Sequence, residues 1–292
     1  MSENHINEVP DYITFPRTFE KYKWYKPLLT IVVTLVVYVI FQGILGIIFG
    51  AIYGQDFVST IFSMRYETLN SSDALVYFSY LSVGAFIPSI YIASRIVRYR
   101  PFSSYSSSRG GWNWKIYFKC LTIPLIIYVI YYAIDFTIHG TNGSANQISQ
   151  ITLIVCLIII PFQSIAEEYV FRGLLMQTFG SWFKIPILSI IIQAIIFAIF
   201  HSYDAIGIIT IFASGIILGV LAWCTNGLEA GSAIHSINNL SSFYLAALGL
   251  NSISSSVSMW DFIASTLVAV ISALFIYYIG NKKAWFNEKT SD

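Results

Sequence analysis

The sequence predicts an all-α, polytopic membrane protein with about eight transmembrane helices and both termini cytoplasmic. Three observations carry this. Of 292 residues, 56% are hydrophobic and only 11% are charged, where a soluble domain carries about 25% charge. Mean hydropathy is +0.68. The apolar residues also gather in windows of about 20, long enough to cross about 30 Å of hydrocarbon as helix. Together these exclude a soluble globular enzyme, a disordered tail and a fibrous repeat. A net charge of +1 offers no basic field for nucleic acid. The three cysteines, Cys120, Cys156 and Cys224, lack any CxxC spacing, so they read as small packed hydrophobes rather than a disulfide or zinc framework.

Residues 1–26 are polar and of mixed charge and form a cytoplasmic N-terminal segment. The first apolar stretch begins near Pro27. It is too long for a signal-peptide core and lacks a small-residue cleavage site, so it reads as an anchor that stays. Apolar windows fall at about 28–53, 74–97, 117–137, 151–176, 185–203, 206–224, 229–249 and 261–280. The chain divides into three N-terminal helices over 27–149, a helical core over 150–249, and a last helix with a cytoplasmic tail over 250–292. Connections at 177–184, 202–206 and 224–229 are short, so the fourth to seventh spans form a tight antiparallel group. Pro88, Pro124, Pro161 and Pro186 lie in or at the ends of spans, where neighbouring helices can satisfy the backbone groups they free.

Orientation follows from the basic residues. With the N-terminus inside, Arg17, Lys21, Lys23 and Lys26 are inside. So are Arg95, Arg98, Arg100, Arg109, Lys115 and Lys119 in and around the second-to-third connection. Arg172 and Lys184 flank the next inner turn, and Lys282, Lys283 and Lys289 close the chain; only Arg65 falls outside. Residues 103–111 read as a flexible inner loop and 139–148 as an outer one. Asn70 and Asn142 match the short glycosylation pattern, which is common by chance.

Ionisable groups inside spans are costly and default to functional hypotheses. Four places stand out: Glu167 with Glu168, Arg172, His201 and His235. Glu168 and Arg172 are four apart, on one helical face, and can pair. Glu167 points about 100° away and lacks that partner. An unpaired buried carboxylate is expensive to keep ionised, which suits it to exchange a proton with water as general base and then acid. His235 and Asn239 are also four apart, with Asn238 on a neighbouring face. A histidine and a carboxamide aligned in an apolar helix can hold an oxyanion or ligate a metal. Each motif alone is equally a packing device: an ion pair that pins helices, an interfacial histidine, an interhelical hydrogen bond.

Together they make a sufficient kit for hydrolysis. The glutamate and one histidine can activate water; the other histidine and the asparagine can hold the developing negative charge. The same residues allow a zinc ion on Glu167, His201 and His235, or no metal at all. HExxH, the helix of standard zinc proteases, is absent.

The three ordered motifs, Glu167-Glu168-x-x-x-Arg172 with Phe171-Arg172-Gly173, Phe197-x-x-x-His201 and His235-x-x-x-Asn239, resemble the CAAX-protease and bacteriocin-processing (CPBP or Abi) family of eight-helix intramembrane proteases. The resemblance covers roughly residues 150–245, and no motif position departs from the pattern. It implies that Glu167 activates water with help from His201, that His235 and Asn239 form the oxyanion site, and that Glu168 and Arg172 support and orient. It implies a metalloprotease, or a glutamate-activated water without metal. It also implies a substrate that is a membrane-associated peptide or protein, processed in bacteriocin maturation, self-immunity or peptide signalling at a bacterial plasma membrane.

One depth does not match. Counted at 1.5 Å per residue from the inner turns, Glu167 and His201 reach similar depth, but His235 lies about 10 Å shallower if helices are straight. The mechanism requires the structure to close that gap. Two other functions compete: a non-proteolytic immunity or regulatory protein that binds a peptide or sensor partner, and a transporter. Concentration of the polar residues on three helices, without an inverted repeat, argues against the transporter.

Overall fold

The computed structural model describes residues 9–62, 72–141, 143, 148–251 and 256–287. Arg65, Asn70, Asn142 and Lys289 lie outside the described residues. Among the described residues the chain is all helical. There is no strand, only one isolated antiparallel bridge between Ser107 and Gly227.

Helix α1 (Lys26–Phe62) is interrupted at Gly54, whose φ of 82° is open to glycine at little cost. The second window divides into α2 (Asp73–Gly84) and α3 (Phe86–Val97). Pro88 stands in the first turn of α3, where its missing N–H costs nothing. Helix α4 is one turn, Ser103–Ser106. Helix α5 (Trp114–His139) starts at an Asn113 cap and carries Pro124 inside. Helix α6 (Gln150–Glu168) passes without a break into a π-helix, Tyr169–Met176, and then into α7 (Gln177–Phe183). The remaining helices are α8 (Pro186–Ile199), α9 (Ala205–Cys224), α10 (Glu229–Ala247) and α11 (Met259–Lys282).

Helix thus occupies every expected window, but six of these helical stretches are long and apolar enough to cross a membrane. The two others differ for separate reasons. Helix α8 has 14 residues, about 21 Å at 1.5 Å per residue, and ends below the full hydrocarbon depth. Helix α10 is long enough, but buried Ser232, His235 and Ser236 lower its apolar character. The lipid-facing belt is made by exposed aliphatics such as Val36 and Val39 of α1, Ile126 and Val129 of α5, and Leu267 and Leu274 of α11.

Small residues let α8 and α9 approach. Gly215 and Gly219 of α9 are four apart, and a Cβ on Gly215 would stand 2.8 Å from that of Ala194. Of the cysteines, Cys120 and Cys156 are buried as expected, whereas Cys224 is exposed at the end of α9.

The inner loop departs from expectation. Residues 104–109 are buried, not flexible. Arg109 forms an ion pair with Glu229 at 2.6 Å, with both side chains at most 1% exposed. The Leu228 N–H donates to Ser106 O at 2.8 Å, and Ser107 Oγ–H donates to Asn226 O at 2.9 Å. The N-terminal segment closes over this loop: Tyr12 donates to Tyr105 O at 2.6 Å, and Arg17 donates to Ser181 O at 2.9 Å. The Phe286 ring lies 5.9 Å from the Arg109 guanidinium. Both described ends of the chain therefore meet at one end of the bundle.

Candidate active site

Every motif residue comes from α6, its π-helical continuation, α8 and the turn just after it, or α10. Glu168 is the last residue of α6, and Arg172 lies in the π-helix. Arg172 Nη1 donates to Glu168 Oε1 at 2.9 Å, and neither side chain is exposed. That pair forms as the four-residue spacing predicts. The guanidinium also lies 4.5 Å from the centre of the Phe197 ring and donates to Gly215 O at 3.4 Å.

Glu167 is not without a partner. His235 stands between the two glutamates, its Nδ1 at 2.8 Å from Glu168 Oε1 and its Nε2 at 3.1 Å from Glu167 Oε2. With both carboxyls ionised their oxygens can only accept, and the imidazole donates from both nitrogens. Two carboxylates, one guanidinium and one doubly protonated ring then sum to zero charge. A closed sum is what a low-dielectric site requires. The two neighbouring acids are nevertheless unequal: the Glu167 side chain is 15% exposed and that of Glu168 is fully buried.

His201 follows the end of α8. Its Nδ1 lies 2.7 Å from Phe197 O. A carbonyl can only accept, so Nδ1 carries a proton and donates, which turns Nε2 to the other side of the ring. The Phe197 ring joins the two histidines, 4.7 Å from His201 and 6.0 Å from His235 between ring centres. Asn239 uses its amide nitrogen on Gln163 Oε1 at 3.1 Å and Ser164 Oγ at 3.2 Å. Those two residues lie one turn before Glu167 and Glu168 on α6.

The 10 Å depth gap closes, and the buried inner loop is the reason. The turn before α10 does not lie at the rim of the bundle. Leu228 is hydrogen-bonded to Ser106, and a Cβ on Gly173 would meet both Tyr105 O at 2.7 Å and Leu228 Cδ1 at 3.5 Å. Leu228 therefore sits level with Gly173, ten residues inward of the end of α7 at Phe183. From that level His235 lies seven residues along α10 and Glu168 five residues back along its own helix, so at 1.5 Å per residue the gap shrinks from about 10 Å to about 3 Å.

The sequence reading missed four groups here. Gln163 and Ser164, which hold Asn239, carry no charge, and it is ionisable residues within a span that default to functional hypotheses. Arg109 and Glu229, which seat α10, are 120 positions apart, so nothing in their spacing pairs them. Glu229 beside a span end was the available clue.

A zinc ion on Glu167, His201 and His235 would need Nε2 of His235, which here faces Glu167. Among the described residues no three His, Cys, Asp or Glu side chains gather as metal ligands.

Residues 149–241 match the family model of the type II CAAX prenyl endopeptidase Rce1-like proteins. The uncharacterized protein YyaK of Bacillus subtilis (strain 168) is 32% identical over 137 residues, 44% of this chain and 46% of that protein. The chain thus aligns with less than half the length of that relative. No solved structure matches. The matched stretch contains Glu167, Glu168, Arg172, His201, His235 and Asn239, and over that stretch the chain is similar to the Rce1-like proteins of the CPBP/Abi family.

Proposed function

We propose that the protein is an intramembrane endopeptidase that hydrolyses a peptide bond of a membrane-associated protein or peptide with a glutamate-activated water. One observation carries this reading. Adjacent glutamates share one histidine, yet one is locked into a buried ion pair and the other remains accessible. Chemistry needs the accessible one.

In this reading Glu167 takes a proton from water as hydroxide attacks the scissile carbonyl carbon. Nε2 of His201, its proton fixed on the far nitrogen by Phe197 O, accepts a hydrogen bond from the same water and aims it. As Glu167 becomes protonated it releases its hold on His235 Nε2–H, which then donates to the oxyanion. Asn239 joins it when one amide hydrogen turns away from Ser164. The C–N bond breaks, and Glu167 returns its proton to the leaving amine. Glu168 and Arg172 keep the imidazole oriented.

The membrane setting supports the same reading. In this reading both ends of the chain and the site's inner floor face the cytoplasm of a bacterial plasma membrane, an orientation that the distribution of basic residues supports. Peptide maturation, self-immunity and peptide signalling are the roles that fit such a substrate.

The test compares membranes from cells producing the wild type, Glu167→Gln and neither, with new peptide termini identified by mass spectrometry and zinc measured on the purified protein. Termini made by the wild type and lost in the variant at equal abundance are the expected result. Termini unchanged in the variant, or none from the wild type, overturn the protease and leave a peptide-binding protein. Stoichiometric zinc would replace the metal-free mechanism.

A further inference from the structure

At the end of the bundle that gathers both chain ends, α5 and α11 part around a crevice of about 320 Å³. It is lined by Lys119, Thr122, Ile123, Ile279, Lys283 and Trp285, none of them part of the candidate active site. The chain builds its floor deliberately. After α11, Ala284 takes a left-handed conformation with φ 54°, unusual for a residue with a Cβ. This turns the chain back, so the Trp285 N–H donates to Gly280 O at 2.8 Å and Phe286 packs over Gly280. Trp285 becomes buried beneath the crevice, and Lys119 Nζ stands 5.7 Å from its ring centre.

Charge and polarity are mismatched there in a way that asks for an anion. Lys115, Lys119, Lys282 and Lys283 gather on the first turns of α5 and the end of α11. None forms an ion pair among the described residues. Glu229, a buried acid at this end of the bundle, is already closed by Arg109. The surroundings are apolar and face lipid: Trp114, Phe118 and Tyr278 are exposed around the crevice. Aromatic side chains at such a level mark the membrane interface.

We propose that this crevice holds an acidic phospholipid, with its phosphate between Lys119 and Lys283 and its acyl chains along Ile123 and Ile279. A basic pocket between membrane helices on the cytoplasmic side is suited to an anionic headgroup. The apolar walls exclude free phosphate as the natural occupant, because they would face nothing.

Native mass spectrometry of the detergent-purified full chain tests this, with phosphatidylglycerol and phosphatidylcholine titrated in parallel. The expected result is preferential retention of phosphatidylglycerol, falling about fivefold for each lysine removed in Lys119→Gln and Lys283→Gln. Lys21→Gln with Lys23→Gln, basic at the same end but outside the crevice, should leave retention unchanged. Equal retention of both lipids overturns the proposal. So does equal loss in the Lys21/Lys23 variant, which would mean a diffuse surface field. Full displacement by inorganic phosphate would assign the site to a soluble anion. A dimer that dissociates in Lys119→Gln and Lys283→Gln would assign the crevice to a second copy of the chain.

Discussion

Glu167 and Glu168 are covalent neighbours with opposite surroundings, and the helix periodicity is the cause. A step of about 100° carries Glu168 onto the face of Arg172 and leaves Glu167 toward the accessible side. His235 then ties the two together through opposite edges of one ring. This divides the consequences of substitution. Glu168→Ala leaves the fully buried Arg172 without its closest counter-charge, an effect of about 3–5 kcal/mol. We expect low membrane abundance and a lower melting temperature in detergent. Replacing both, as Glu168→Leu with Arg172→Leu, should recover much of that stability, because no lone charge remains. Activity should stay absent in the double variant, since His235 loses the acceptor that orients it. A double variant as unstable as Glu168→Ala would show that the pair is not the source of the loss.

The elements that position these residues owe as much to the inner loop as to the helices. Helix α10 starts deep because Glu229 is seated by Arg109 from the loop, at 2.6 Å. The same carboxylate accepts from the Asn113 N–H at 2.9 Å, at the cap of α5. One buried acid therefore fixes a loop, the start of α5 and the start of α10. Arg109→Ala removes its counter-charge, and we expect a loss of about 3–5 kcal/mol with His235 displaced from the glutamates. Thermal unfolding and catalytic rate should fall together. Glu229→Gln should be comparably destabilising: the amide keeps an acceptor oxygen for Asn113 but leaves the buried Arg109 charge unpaired. If Arg109→Ala melts like the wild type, the loop is not what seats α10. These contacts also mark the limit of what the sequence disclosed. The windows, the motif faces and the Glu168–Arg172 pair were legible because they rest on local periodicity. The burial of 104–109 was not, because serine, glycine and arginine in a row look the same whether water or protein satisfies them. The missing 10 Å was a symptom of that loop, visible in the count before its cause was.

At the scale of the whole molecule, one end of the bundle is closed by three pieces far apart in sequence. Tyr12 reaches Tyr105, Arg17 reaches Ser181, and Phe286 lies over Arg109. The end of α9 belongs to the same face, because Trp223 Nε1–H donates to Asp11 Oδ2 at 2.7 Å. That common face carries most of the basic residues, and positive charge near short loops keeps a segment in the cytoplasm. The protein supplies its own reporter of this arrangement. Cys224 is exposed beside Trp223, while Cys120 and Cys156 are buried. A membrane-impermeant maleimide should label the protein in inside-out vesicles and not in intact cells. Labelling should vanish in Cys224→Ser. Cys120 and Cys156 should react only after denaturation. Labelling from outside the cell would invert the molecule and place the inner loop, both chain ends and the lysine crevice on the opposite leaflet, against the charge distribution that orients it.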